Sequence, residues 1–261
     1  MKKVLVIGET CVDEFIYGRC EKISPEAPVP VFVPGLSSEP NDGFGLGMAM
    51  NVFKNLMMLD IEVDIITNQE KPMPIKTRYV DEVSNQMLLR VDRNDVVHPI
   101  TEHQFTSIDY DKYDAIVISD YNKGFLRYSD IMDISERHPL VFMDTKKELQ
   151  HWCDDIKFIK VNEKEFLQSE RYLTEDYPHN LIVTLGSNGA LYHNKNMYIK
   201  PQKKVQVRDV AGAGDTFFAA FVANYLKYGD ICEAIQFANI CASWVVTQRG
   251  VAPINLTKLE K

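Results

Sequence analysis

No apolar stretch of this 261-residue chain approaches the 18 or so residues needed to span a bilayer as a helix. The amino-terminal run Val4-Leu5-Val6-Ile7 stops at Gly8 and Glu9 after four residues, too short for a signal peptide, and reads as a first strand. Cysteine is sparse. Cys11, Cys20, Cys153, Cys232 and Cys241 are odd in number, irregularly spaced and contain no C-x-x-C pair, which points to reduced thiols in a cytoplasmic protein. Positive charge is in deficit, with 29 Lys and Arg against 37 Asp and Glu. The net charge of -8 argues against a nucleic-acid partner, although a local basic pocket for a small phosphorylated ligand remains compatible with it. Internal repeats, low-complexity tracts and charged tails are missing. So are G-x-x-x-x-G-K-[ST], which rules out a P-loop enzyme, and a strand–G-x-G-x-x-G–helix unit, which disfavours a dinucleotide-binding fold.

What is present is the pattern of one α/β domain. Short Val- and Ile-rich runs recur at 4–7, 63–66, 115–118, 140–143, 158–161 and 181–185, as expected of strands buried on both faces of a largely parallel sheet. Helical segments at 48–59, 129–137 and 163–169 alternate with them, which predicts βαβ units with right-handed crossovers. Two stretches break the alternation. Residues 29–33 follow the proline-punctuated Pro25-Glu26-Ala27-Pro28-Val29-Pro30, and 76–83 with 86–91 form a hairpin around Ser84-Asn85. These read either as a small separate sheet or as edge strands of the main one. The last third carries two long helices, 213–226 and 231–246, joined by a C-cap Gly229 and an N-cap Asp230.

The chemistry concentrates before the first of those helices, in Arg208-Asp209-Val210-Ala211-Gly212-Ala213-Gly214-Asp215-Thr216. Two glycines allow a tight turn and close backbone approach, and the helix start offers unpaired amides and a positive dipole end. That is an anion hole suited to the charge that builds during phosphoryl transfer. Asp215 beside it suits a general base better than a phosphate ligand, because like charges repel. The plainer alternative is a glycine-rich turn with Asp215 as a simple helix cap.

The Gly212-Ala213-Gly214-Asp215 segment and its apolar helix resemble the signature of the ribokinase-like (PfkB) carbohydrate kinases. Gly8-Glu9-Thr10-Cys11-Val12-Asp13, Ser24-Pro25-Glu26-Ala27-Pro28-Val29-Pro30, Ser119-Asp120-Tyr121-Asn122-Lys123-Gly124 and Asp144-Thr145-Lys146 are very similar to the heptose-7-phosphate kinases of lipopolysaccharide-core synthesis. The likeness runs from about residue 4 to about residue 254. It implies a three-layer α/β/α ribokinase-like domain with a mainly parallel central sheet and a small β lid at about 13–33 and 76–93, through which relatives form homodimers. It implies Asp215 as base, with Ala211, Gly212, Ala213 and Gly214 as the anion hole, and Asp13, Gly47, Asn51 and Lys123 around a sugar phosphate. Asn162 and Glu165 match an N-x-x-E motif that contacts nucleotide phosphates and places Mg²⁺ through water; they also fit an ordinary capping box. Thr184, Gly186 and Gly189 resemble the nucleotide-side loop, so ATP with Mg²⁺ is expected. No His/Cys cluster has metal-ligand spacing.

Two departures bear on the sugar. Met48 stands in Gly47-Met48-Ala49-Met50-Asn51 where the family has glycine, and the stretch between Asp64 and Lys76 is much shorter than usual. The chain contains no His-x-Gly-His, so the nucleotidyltransferase activity of bifunctional members is not expected of it.

Overall fold

The computed structural model describes residues 1–35, 44–69, 72–173 and 180–259. In chain order the strands are β1 (Lys3–Gly8), β2 (Thr10–Ile23), β3 (Pro30–Pro34), β4 (Phe44–Met48), β5 (Glu62–Ile66), β6 (Ile75–Asp81), β7 (Met87–Arg93), β8 (Ala115–Asp120), β9 (Val141–Thr145), β10 (Phe158–Asn162), β11 (Asn180–Thr184), β12 (Ala190–Tyr192) and β13 (Met197–Ile199). The helices are α1 (Ala49–Met58), α2 (Glu102–Thr106), α3 (Tyr128–Arg137), α4 (Glu163–Ser169), α5 (Ala213–Tyr228), α6 (Ile231–Val245) and α7 (Leu256–Leu259).

Eight strands form the main sheet in the order β13-β12-β11-β10-β9-β8-β1-β5. From β5 to β11 all neighbours run parallel, and β12 and β13 close the edge antiparallel. Alternate side chains leave the strands in opposite directions, and here both directions are apolar. Val4, Val6, Ala115, Val117, Phe142 and Phe158 join α1, α5 and α6 on one face. Leu5, Ile7, Ile116, Ile118, Met143 and Ile159 join Ile131 and Ile134 of α3 on the other. Three layers result. Stacked Phe142 and Phe158, with ring centroids 4.8 Å apart, meet Phe221 and Tyr225 of α5 edge-on.

The chain-breaking stretches form their own sheet, which excludes the edge-strand reading. β2 pairs β6 in parallel on one side and β4 and β3 antiparallel on the other, and β7 extends β6. Only Glu9 separates β1 from β2, so one continuous stretch of chain passes from the main sheet into the second. The strand β4 was not foreseen. Its two glycines read against a strand, yet it fills the edge of β2 along residues 10–14. Ile66 ends β5 and Ile75 opens β6, with 70 and 71 between them outside the described residues.

β1 lies between β5 and β8: the chain goes from β1 out to β5 on one side and then returns to β8 on the other. Such a switch point opens a crevice at the carboxyl ends of the strands. Glu9, Asp120, Thr145, Asn162 and Thr184 all stand at those ends.

Candidate active site

Helix α5 has Gly212 as its N-cap, whose φ of 76° is left-handed, and uses no side-chain cap. Asp215 lies three residues further on, so the helix-cap alternative fails. Its carboxylate, 4% exposed, instead receives two donors from distant elements. Asn51 Nδ2 of α1 reaches Oδ2 at 3.1 Å, and the Tyr121 hydroxyl after β8 reaches Oδ1 at 2.5 Å. Burial pushes the Asp215 carboxyl above its ordinary value, and the two donors restrain the rise. Asn51 is fixed in turn by Asn55, whose Nδ2 donates to the Asn51 carbonyl and Oδ1 and whose own Oδ1 accepts the Ile254 amide.

Glycine is obligatory at 212 for a second reason: a Cβ there would lie 2.7 Å from Asn51 Nδ2. Of the four amides that the family likeness assigns to the anion, Ala211 donates to Asp209 Oδ1 at 2.8 Å and Ala213 to the Val210 carbonyl at 3.2 Å. Gly212 and Gly214 have no such acceptor among the described residues.

Beside Gly214 lies a buried charge network. Lys160 of β10 stands directly opposite Asp144 of β9 and donates to its Oδ2 at 2.7 Å. Lys146 pairs with Glu165 at 2.6 Å and lies 3.6 Å from Asp144 Oδ1. Desolvation would raise the Asp144 carboxyl, but the two ammonium groups outweigh it and hold it below its usual value. Asn162 and Glu165 form a complete capping box on α4, with reciprocal bonds of 2.8 and 2.9 Å, and Asn162 Nδ2 also donates to Glu165 Oε1.

Asp13, on β2, accepts from Arg78 Nη1 at 2.5 Å, and the Arg78 guanidinium lies over the Phe15 ring. Gly47 backs onto it so closely that a Cβ would fall 1.8 Å from Asp13 Oδ2. Met48 follows with φ 60° and ψ -131°, backbone values at which glycine is at ease and other residues are strained. Lys123 pairs with Asp95, so its ammonium is already neutralised. Its amide donates to Glu9, a wholly buried carboxylate that also takes the amides of Tyr121 and Phe125.

A cavity of about 270 Å³ is lined by Asp215, Tyr121, Asp144, Lys146 and Lys160 with Asn162, Gly212 and Gly214. Through Thr184, Gly186 and Gly214 it adjoins a second, of about 490 Å³, walled by Val205, Val207, Val210, Phe217 and Ala242. Gly189 lines the second cavity at φ 90°, where a Cβ would lie 2.2 Å from the Ile199 carbonyl oxygen. The arrangement joins a polar, charged chamber, lined by a buried carboxylate, to an apolar one.

Of the sequence-expected residues, Asp215, Gly212, Ala213, Gly214, Asn162, Thr184, Gly186 and Gly189 line the two cavities, and Asn51 and Glu165 bond to groups that do. Asp13, Gly47, Ala211 and Lys123 line neither, and the charged ends of Asp13 and Lys123 are committed to Arg78 and Asp95. Tyr121, Asp144, Lys146, Lys160, Glu9 and Arg78 join the site without a role expected from the sequence. Lysine and aspartate inside the otherwise apolar runs of β9 and β10 were the signal available for two of them.

Residues 62–258 match the pfkB family carbohydrate kinases. The bifunctional protein HldE of a Nitratiruptor species is 28% identical over 306 residues, which covers 99% of this chain and 64% of that protein. The bifunctional protein HldE of Helicobacter hepaticus is 30% identical, with 96% of this chain and 61% of that protein covered. The chain thus spans somewhat under two thirds of the length of these relatives. Among solved structures, the nucleoside kinase of Methanocaldococcus jannaschii, an archaeal member of the ribokinase family, superposes with a TM-score of 0.69 at 18% identity, covering 100% of this chain and 98% of that one. Phosphofructokinase-2 of Escherichia coli gives 0.73 at 15% identity, covering 100% and 97%. The fold is shared with both, and the family match over three quarters of its length settles the kinship: this chain belongs to the pfkB family of carbohydrate kinases.

Proposed function

We propose that the protein transfers the γ-phosphoryl group of ATP to a sugar phosphate, heptose 7-phosphate becoming heptose 1,7-bisphosphate. The observation that carries the reading is the Asp215 carboxylate, buried at the start of α5 where the charged chamber meets the unpaired amides of Gly212 and Gly214. The apolar chamber takes the nucleobase, and the triphosphate extends past Thr184 and Gly186 into the polar one. The acceptor hydroxyl donates to Asp215, its oxygen forms the new bond to phosphorus, and the bond to the ADP oxygen breaks. The proton stays on Asp215 until product leaves. A raised proton affinity makes Asp215 a stronger base than a solvated carboxylate. Gly212, Gly214 and the Lys160 ammonium steady the phosphoryl oxygens. Asp13 and Asn51 line the sugar side, with Gly47 fixing the position of Asp13.

Mg²⁺ fits as an ion that arrives with ATP. Magnesium prefers waters, substrate phosphates and one or two carboxylates, and no cluster of three or more potential ligands exists among the described residues. Glu165 is the group to hold it through water, because Oε1 is taken by Lys146 and Asn162 Nδ2 while Oε2, among the described residues, accepts only the Asn162 amide. When bound, the ion neutralises phosphate charge.

The second sheet serves as a lid and as the surface of a homodimer. All seven residues of β7 are exposed, Met87 and Leu89 by 53% and 56%. Apolar exposure of this kind on an edge strand marks an association surface. Leu89→Asp should yield a monomer in light scattering; a wild-type protein already monomeric at micromolar concentration would remove the dimer.

The strained Met48 favours a second reading, a kinase of another sugar or sugar phosphate. ADP release across a panel of sugars and sugar phosphates separates the two. Heptose 7-phosphate should give the highest kcat/KM, and a clear preference for another acceptor would overturn the heptose assignment.

A further inference from the structure

Tyr121 does not figure in the chemistry above, yet it is tied into the site from four sides. Its hydroxyl donates to Asp215 Oδ1. Its amide is held by Glu9 Oε2 at 2.8 Å, and Glu9 also gathers the amides of Lys123 and Phe125, so the loop after β8 is clamped onto the end of β1. Its ring carries two ammonium groups, Lys76 of β6 at 4.8 Å and Lys146 at 5.3 Å from the centroid. The side chain also lines the charged chamber.

A buried carboxylate left without donors is costly, and each donor it gains also fixes its orientation. Asn51 secures one oxygen of Asp215 and Tyr121 the other, which leaves further lone pairs for an acceptor hydroxyl. The clamp at the amide and the cations on the ring keep the phenol from swinging aside. Burial, then the neighbouring Asp215 charge, drives the Tyr121 hydroxyl well above its ordinary value, so it stays a donor at any working pH. Lys76 belongs to the second sheet, and through the ring it connects that sheet to the base.

Resting on the reading of Asp215 as base, we propose that Tyr121 is a positioning residue: it fixes the Asp215 carboxylate toward the acceptor hydroxyl and links its placement to strand β6. The charged and titratable groups that face this pair are Asp144 of β9, Lys146 just after it, Lys160 of β10, Lys76 of β6 and Cys11 of β2. None of them changes under the substitution below.

The test is Tyr121→Phe, which keeps the ring and its two cations and removes only the hydroxyl. It is assayed with MgATP and heptose 7-phosphate, or with the sugar phosphate the panel prefers. Loss of a donor to a charged acceptor should move the acid limb of kcat/KM upward by about one pH unit. It should also lower kcat by about tenfold or more, with the KM for ATP within about twofold of wild type. An acid limb that stays in place, whatever the loss in kcat, overturns the proposal. Should the Phe variant not fold, judged by missing stabilisation on adding MgATP, 3-fluorotyrosine at 121 supplies a stronger donor in the same shape. It should move the limb downward, and an unmoved limb again refutes the role. An active Asp215→Asn enzyme would instead remove the base assignment itself. An inactive one, together with an unmoved Tyr121→Phe limb, removes the role of Tyr121 alone.

Discussion

Gly47→Ala should cripple the sugar side of the site through a single methyl group. The added Cβ would fall 1.8 Å from Asp13 Oδ2, 2.9 Å from its Cγ and 3.3 Å from Cys11 Sγ. Comfortable contact is roughly 3.5 Å, so either Asp13 turns away or β4 leaves β2. If Asp13 turns, its pairing with Arg78 is lost, and the two side chains are only 6% and 13% exposed. Breaking a largely buried pair costs about 2–4 kcal/mol. At about 2–4 °C per kcal/mol for a domain of this size, Tm should drop by roughly 5–15 °C. The KM for the sugar should rise with it. Gly45→Ala, two residues away on the same strand, is the control: its Cβ would meet nothing within 4 Å, and Tm should hold. The double variant Asp13→Ala with Gly47→Ala should be no less stable than Asp13→Ala alone, because the clash partner is gone. Equal melting temperatures for Gly47→Ala and Gly45→Ala, with the sugar KM unchanged, would show that Asp13 does not fill the space beside Gly47.

Two further outcomes follow from the buried charges. Burial raises the Asp215 carboxyl, so the ionised base is lost at a higher pH than for a solvated aspartate; the acid limb of kcat/KM should lie above the ordinary aspartate range, and a limb at or below that range would contradict the assignment. Lys160→Met leaves Asp144 largely buried with one ammonium fewer and should cost about 3–5 kcal/mol in urea unfolding at pH 7. In the wild type the Asp144 carboxyl is held low, so its share of stability is present above the ordinary aspartate value and fades as pH falls. The deficit of the variant should therefore shrink in acid; a deficit independent of pH would show that the pair is not its source.

How much of this was legible in the sequence depended on the range of the interaction. Strands buried on both faces announce themselves as unbroken apolar runs, and Val4 to Ile7 feeds both core clusters, as such a run must. The Asn162–Glu165 capping box and the Gly229–Asp230 junction are local, and they were readable for that reason. The fifth strand of the second sheet was hidden because Phe44-Gly45-Leu46-Gly47-Met48 looks unlike a strand; Gly47 is there because Asp13 occupies the space of a side chain. Lys160 and Asp144 meet only through the β9–β10 register, which no local pattern encodes. The hydrogen bond from Tyr121 to Asp215 spans 94 positions. Lys123 looked free in the sequence because Asp95, its partner, lies 28 residues earlier.

The direct test of the whole account is Asp215→Asn, read in one experiment as ADP release and as thermal stabilisation by MgATP. Turnover should vanish while the nucleotide still stabilises the protein. A variant that still releases ADP at a rate near wild type would contradict the claim that this carboxylate takes the proton.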